Sequence, residues 1–204
     1  MRWLLSHKSR GFAIVSLDES VFIQDVKVRR VWAMEGTRPI RIAAANMHGR
    51  TVVFGAMSLD GRQLFRQYKK FNGRSFLDYL KKAHRKFRKL YLFMDRAPQH
   101  RNTRKVLNYI KENRKTIRVR WFPVGSPEFN VMEECWRQGE KDLSSLPIFP
   151  TSLGKLKRFL AKYYRTRRFN LDMRSFLLTK RYCSRNYVTQ VRLSMLCVLV
   201  LRTC

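Results

Sequence analysis

Two short apolar runs that each end in an aspartate constrain this chain more than any other feature. GFAIVSLD (11–18) closes on Asp18, and LYLFMD (90–95) closes on Asp95. Runs of this length with an acid at the end read as buried strands, each with its carboxylate at the strand's C-terminal end. If the two strands are parallel neighbours, both carboxylates emerge side by side at one edge of a sheet, in the crevice where α/β sheets bind ligands. Two unpaired carboxylates there repel each other and resist desolvation, and a divalent cation relieves both costs. A third carboxylate from a nearby helix, such as Glu133, would complete an oxygen-rich site suited to Mg²⁺ or Mn²⁺ rather than zinc. For any one of these acids alone the bland reading is a turn former or a helix-dipole partner. Their weight lies in occurring together.

The acids matter because they are scarce. The chain has 204 residues with 44 Lys and Arg against 14 Asp and Glu, a formal net charge of +30. At 45% hydrophobic residues it is no disordered polybasic tail, and its length suits one domain with an appendage. A folded domain so basic repels itself and gains from a polyanion; nucleic acid is the leading partner, with an anionic membrane surface or a merely solvated face as competitors. The cysteines (135, 183, 197, 204) form no CxxC pair and the histidines fall at no zinc-ligand spacing. The start carries no signal-peptide pattern, and the longest apolar run, Met195 to Leu201, is too short for a bilayer. A reducing cytosolic compartment follows as the default.

Between the two aspartates, 41–47 and 51–59 flank His48-Gly49-Arg50 and read as a hairpin. Ser75 is the expected cap of a helix running to Phe87, and Thr103 that of a helix to about Asn113. IRVRWF (117–122) alternates as a strand with one wet face, and Asn130 caps a helix carrying Glu133, Glu134, Cys135, Trp136 and Glu140. Strands first, then strand and helix in alternation, indicate an α/β fold with a mixed sheet covered by helices. From 150 to 204 there are thirteen Lys or Arg and one acid, Asp172. Helical periodicity persists over 153–165 and fades beyond Arg181. The division expected is 1–145 as the main domain and 146–204 as a basic helical C-terminal extension whose end is a candidate for disorder.

Three blocks then resemble a known family. LDES (17–20) through RRVWAMEGTRP (29–39) looks like the opening of the catalytic domain of IS630-group insertion-sequence transposases, relatives of the Tc1/mariner transposons. LFMDRAPQH (92–100) is similar to that family's strand ending in Asp-Asn-Ala followed by His. SPEFNVMEECWR (126–137) is similar to its Ser-Pro-Asp/Glu-Leu-Asn-Pro-Ile-Glu-x-x-Trp block. The resemblance covers about 11–145 and implies an RNase H-like fold, a five-stranded mixed sheet flanked by helices. It implies a DDE/D triad of Asp18, Asp95 and Glu133 holding two Mg²⁺ (or Mn²⁺) ions. Glu133 and Glu134 cannot both face the same metals, since one helical step turns a side chain by about 100°, and family position favours Glu133.

The implied activity is two-metal hydrolysis of phosphodiester bonds at transposon ends and 3′-OH strand transfer into target DNA, by family analogy at TA dinucleotides. The implied partner is double-stranded DNA, with a homodimer as candidate assembly in a prokaryotic cytoplasm, at the nucleoid. Arg96 stands where the family has Asn and would set a cation beside the metals, either touching phosphate or weakening the site. Val131 replaces the usual Pro. Family members also carry an N-terminal helix-turn-helix, whereas here the first strand begins about ten residues in, which reads as a catalytic fragment or truncated frame. Hence the alternatives: a catalytically inactive remnant that only binds nucleic acid, or an RNase H-like nuclease unrelated to transposition. Arg96, His100, Lys81, Lys82, Arg85 and Lys86 are candidate phosphate contacts, the lysines and Arg85 against a solvated-face reading. Trp136 is expected in the core; Trp32 is divided between core and DNA contact; the cysteines are read as inert thiols.

Overall fold

The computed structural model describes residues 10–25, 34–36 and 49–177. The predicted strand at 41–47, Trp32 and the tail after Arg181 lie outside the described residues. Five strands form one sheet: β1 (Ala13–Ile23), β2 (Arg50–Ser58), β3 (Gln63–Tyr68), β4 (Leu90–Met94) and β5 (Ile117–Trp121), in the order β3-β2-β1-β4-β5. β1–β2 and β2–β3 pair antiparallel; β1–β4 and β4–β5 pair parallel. This is the mixed five-stranded sheet flanked by helices that the sequence predicts, in an RNase H-like arrangement.

The strand alternation sorts side chains onto two faces. Val15 and Leu17 of β1, Phe54 and Ala56 of β2, and Leu90 and Leu92 of β4 meet α1 (Gly73–Phe87) through Phe76, Tyr79, Leu80 and Ala83. α3 (Arg104–Glu112) adds Val106 to that face. On the opposite face Ile14, Phe22, Val53, Met57 and Tyr91 meet α4 (Val131–Ser144) through Met132, Cys135 and Trp136. α5 (Leu153–Thr166) brings Leu156, Leu160 and Tyr164 to the same core, and Met173 of α6 (Met173–Leu177) joins it. Each such fully buried apolar side chain contributes about 1.5–3 kcal/mol. On the edge strand β5, Ile117 is buried while Arg118 and Arg120 are exposed, a charged edge that discourages further pairing.

Local signals explain most boundaries, with corrections. α1 is capped by Asn72, whose side chain accepts the Ser75 N–H at 2.9 Å; Ser75 is inside the first turn and not the cap. Asn130 caps α4 as predicted, accepting the Met132 N–H at 3.2 Å. Thr103 does precede α3, without a side-chain capping bond. Strand β2 forms its described hairpin with β3, which the sequence reading passed over, because QLFRQY places three polar residues among its six. A four-residue helix, α2 (Pro98–Arg101), was also not foreseen.

Candidate metal and nucleic-acid site

Asp18 is not at the end of its strand: β1 continues to Ile23. The reason the two aspartates still meet lies in β4, which is short. Its parallel pairing with β1 ends at Ser16↔Phe93, and Asp95 follows β4 directly, so Asp18 and Asp95 flank the point where the neighbouring strand stops.

Asp18 lies on the α4 face and is 7% exposed. The Trp136 indole N–H donates to its Oδ2 at 3.0 Å, and the Asn130 amide donates to the same oxygen at 2.9 Å. Asn130 is itself pinned, its Oδ1 accepting from the Ser16 hydroxyl at 2.7 Å, so the helix cap and the strand hold one another. Trp136 reaches Asp18 because Gly55 stands opposite Asp18 in the β1–β2 register. A Cβ there would collide with the Met132 Cε and meet the Trp136 ring at 2.6 Å. Phe22, Phe65 and Tyr164 wall the indole, with ring centroids at 6.4, 5.9 and 5.5 Å. Burial first, then the charge of Glu19, pushes the Asp18 carboxyl up to about 8, against the pull of the Trp136 hydrogen bond; Glu133 adds to the rise.

Asp95 is held differently. Its Oδ1 accepts the Ala97 N–H at 3.0 Å and faces the His100 Nδ1 at 2.7 Å, while about half of its side chain is exposed. The His100 Nε2 lies 3.0 Å from Glu19 Oε1. Glu19 follows Asp18 in an alternating strand and so sits on the other side of the sheet, where the imidazole packs 4.2 Å from the Phe76 ring. Burial alone would depress the His100 pKa, but the two carboxylates raise it to about 10. Burial would likewise raise Asp95, but the His100 contact and the Ala97 N–H hold it below the usual carboxylate range. Glu19 remains raised by burial in spite of His100. His100 is thus a buried cation between two acids. Its side chain is 0% exposed, which corrects its reading as a phosphate contact.

Glu133, in the first turn of α4, lines the same cleft, and its carboxyl is raised by burial and by the charges of Asp95 and Glu140. Glu134 instead gives both oxygens to Arg137, each at 2.6 Å. The cleft, with a volume of about 450 Å³, is lined by five acids (Asp18, Glu19, Asp95, Glu133, Glu140) and by Arg137. Five of the chain's fourteen acids therefore gather in one crevice of a chain at +30. That donor set fits hard divalent cations, and Asp18, lifted to about 8 by burial and its acidic neighbours, is a carboxylate whose charge a cation would relieve. Glu19, Asp95 and His100 offer atoms within 4.8 Å of one another, but His100 turns both ring nitrogens to carboxylates and serves as the cation of that trio.

Arg96 is exposed and is not part of the cleft wall. Among the α1 cations, Lys82 pairs with Asp78, Lys86 donates to the Gln63 carbonyl at 2.6 Å, Lys81 lies over the Tyr109 ring at 5.5 Å, and Arg85 is exposed. Sequence reasoning did not weigh Glu19, Glu140 or Asn130 as parts of the site. The strand period was the signal for Glu19. Cys135 is buried, with its thiol pushed up by that burial, as an inert thiol should be. Among the described residues no helix is long and apolar enough to cross a membrane.

Residues 13–152 match the family described as DDE superfamily endonuclease. Among solved structures, the Mos1 transposase paired-end complex with left transposon end is similar at a TM-score of 0.62 and 16% identity, over 89% of this chain and 58% of that one. The Mos1 mariner paired-end complex with Mn follows at 0.58 and 17% identity, over 86% of this chain and 55% of that one. The corresponding complex with Mg stands at 0.58 and 16%, over 86% and 56%. The chain therefore spans less than two-thirds of the length of these structures, and at such identities the likeness is one of fold. No match is found among curated protein sequences.

Proposed function

This chain belongs to the DDE superfamily endonucleases, and from that premise we propose that it is the catalytic domain of a cut-and-paste DNA transposase akin to the IS630 group. Its reaction would be hydrolysis of phosphodiester bonds at transposon ends followed by transfer of the freed 3′-OH into target DNA. The observation that carries this reading is the gathering of acids in one cleft of an otherwise strongly basic chain. Asp18, Asp95 and Glu133 would hold two Mg²⁺ (or Mn²⁺) ions. Bound there, such ions supply activation of the attacking oxygen and stabilisation of the leaving oxygen at phosphorus.

The chain's own residues prepare the ligands. Both side-chain donors to Asp18 converge on Oδ2, so Oδ1 would be the oxygen turned to a cation. Both donors to Asp95 converge on Oδ1, which leaves Oδ2. Arg96, Lys81, Lys82, Arg85 and Lys86 would meet the phosphate backbone of double-stranded DNA, each contact releasing counterions. A homodimer at the prokaryotic nucleoid, pairing two ends, completes the proposal, with 1–145 as the catalytic unit and 146–204 as its basic extension. The competing reading, an inactive remnant, drew only in part on a cation at position 96 beside the metals; that part is weakened because Arg96 lies outside the cleft wall.

The test is nicking of supercoiled DNA with Mg²⁺ or Mn²⁺. Wild type should cut, and Asp95→Asn should not, while DNA affinity holds because no phosphate-contacting cation is lost. If wild type binds DNA yet never cuts it with either ion, the remnant reading replaces the enzyme.

A further inference from the structure

Asp95 sits just past the end of β4, where no neighbouring strand fixes its side chain. Its carboxylate is bonded by the Ala97 N–H and by His100, and both bonds end on Oδ1. His100 belongs to a helix of only four residues, a weak platform on its own. Its ring is fixed from elsewhere: Glu19 on β1 holds Nε2 at 3.0 Å, and Phe76 of α1 lies at 4.2 Å. A chain of contacts thus runs from the centre of the sheet through Glu19 and His100 to Oδ1 of Asp95.

We propose that Glu19 and His100 are a positioning pair that sets the Asp95 carboxylate for metal binding, His100 occupying Oδ1 so that Oδ2 is presented to the ion. The inference rests on the reading of Asp95 as a metal ligand. The pair does no chemistry itself: His100 is wholly buried and reaches neither solvent nor DNA. Space filling is a poor explanation of it. Withdrawing an imidazolium and a carboxylate from water is costly, and apolar side chains of similar size usually serve stability as well or better. What the pair supplies is direction, the role that hydrogen-bonded partners of metal ligands commonly play.

Two amide substitutions separate direction from bulk. In His100→Asn the amide nitrogen falls near the place of Nδ1, within reach of Asp95 but not of Glu19. In His100→Gln it falls near Nε2, within reach of Glu19 but not of Asp95. Mn²⁺ binding to the full chain, followed without DNA by the loss of the free-ion EPR signal, should stay within about threefold of wild type for His100→Asn. It should weaken roughly 10–100-fold for His100→Gln and His100→Ala, with DNA affinity unchanged in all three. Bulk alone would favour the larger Gln. Wild-type Mn²⁺ affinity in folded His100→Gln, or weaker binding by His100→Asn than by His100→Gln, overturns the pair.

If the His100 variants do not fold, Glu19→Gln and Glu19→Ala decide. Gln keeps an acceptor for Nε2 and should bind within about threefold, whereas Ala frees the ring and should lose about tenfold or more. Equal affinities overturn the pair. Asp95→Asn serves as the control: Mn²⁺ binding indifferent to that change sinks the metal-ligand reading and the pair together. Loss in Asp95→Asn with full binding in His100→Gln sinks the pair alone.

Discussion

The two sides of the cleft hold the same residue type by opposite means. On the α4 side, Asp18 is buried among neutral donors, the Trp136 indole and the Asn130 amide, and its carboxyl is pushed up to about 8. On the α2 side, Asp95 is half exposed against the buried cation His100, and its carboxyl is held low. Neutral hydrogen bonds orient a carboxylate without settling its charge; a buried imidazolium does both. Asp18, like Glu133 in the same wall, has no cation against its side chain among the described residues: its neighbours in charge are Glu19 and Glu133. A metal arriving in the cleft would therefore change the Asp18 side more than the Asp95 side.

The sharpest way to break this comparison is Asp18→Asn. Nicking should fall below detection, as for Asp95→Asn, but the two variants should part in stability. Asp18→Asn removes a carboxylate that burial disfavours and should leave the metal-free fold as stable or more so above pH 8. Asp95→Asn deprives His100 of a charged partner and should destabilise. Urea unfolding of both in EDTA measures the difference, and equal losses would end the claim that the two sides are held differently.

The next effect is structural. Asn130→Ala removes the α4 cap, the bond to Asp18 and the acceptor for Ser16 at once, and should cost about 2–4 kcal/mol. Gly55→Ala drives a methyl into Trp136 and Met132 and should cost about 1–3 kcal/mol. Both damage the Asp18 side alone, so Mn²⁺-independent features of the other side, such as the His100 ring NMR signals, should stay put. A matching shift of those signals would show that the sides are not separate.

The pH dependence is smaller and has a definite sign. Asp18 keeps its proton in the folded chain up to about 8, against 3.8 when unfolded, so its contribution is full below about pH 4 and gone above about 8. The contribution of His100, raised from 6.5 to about 10, is full below 6.5 and lost as pH climbs through 10. Asp95, lowered, contributes above 3.8 and loses that as pH falls further. In EDTA the melting temperature should therefore decline from pH 5 to pH 9, at about 2–4 °C per kcal/mol for a chain of this size. Mg²⁺ should flatten that decline, because it binds the deprotonated acids. A melting temperature that rises with pH in EDTA would contradict the assignment of Asp18.

The same contrast marks how much was legible beforehand. Asp18 and Asp95 announced themselves, because a charged residue closing an apolar run is conspicuous in a chain with few acids. The end of β1 did not, since Ser20 to Ile23 continue the strand by pairing with β2 out to Ile23↔Arg50, a contact no local pattern encodes. Trp136 was rightly expected in the core, but its bond to Asp18 depends on the absent side chain of Gly55, over eighty residues away in sequence. His100 was the hardest. Nothing local says that a histidine in a Pro-led four-residue helix is wholly buried, because its burial is made by Glu19 and Phe76. For Glu19 the period of two was available: neighbours in a strand face opposite sides, and both sides turned out to meet at this cleft.

The smallest expected effect concerns Arg96, and it decides which cation governs Asp95. In the sequence, Arg96 is the neighbour of Asp95 and stands where the resembled family has Asn, so it is the obvious competitor for the metal. In three dimensions the cation in contact with Asp95 is His100, at 2.7 Å, while Arg96 is exposed and off the cleft wall. A charge exposed to water is screened, with an interaction on the order of 1 kcal/mol or less at contact distances in a high dielectric. Arg96→Asn should accordingly change Mn²⁺ affinity and the nicking rate by less than about threefold. Its clearer signature should be in DNA binding, where loss of a phosphate contact would reduce the slope of log affinity against log salt by about 1. A large gain in nicking on Arg96→Asn would mean that Arg96 had been suppressing the site, and that the cation facing Asp95 in solution is not His100.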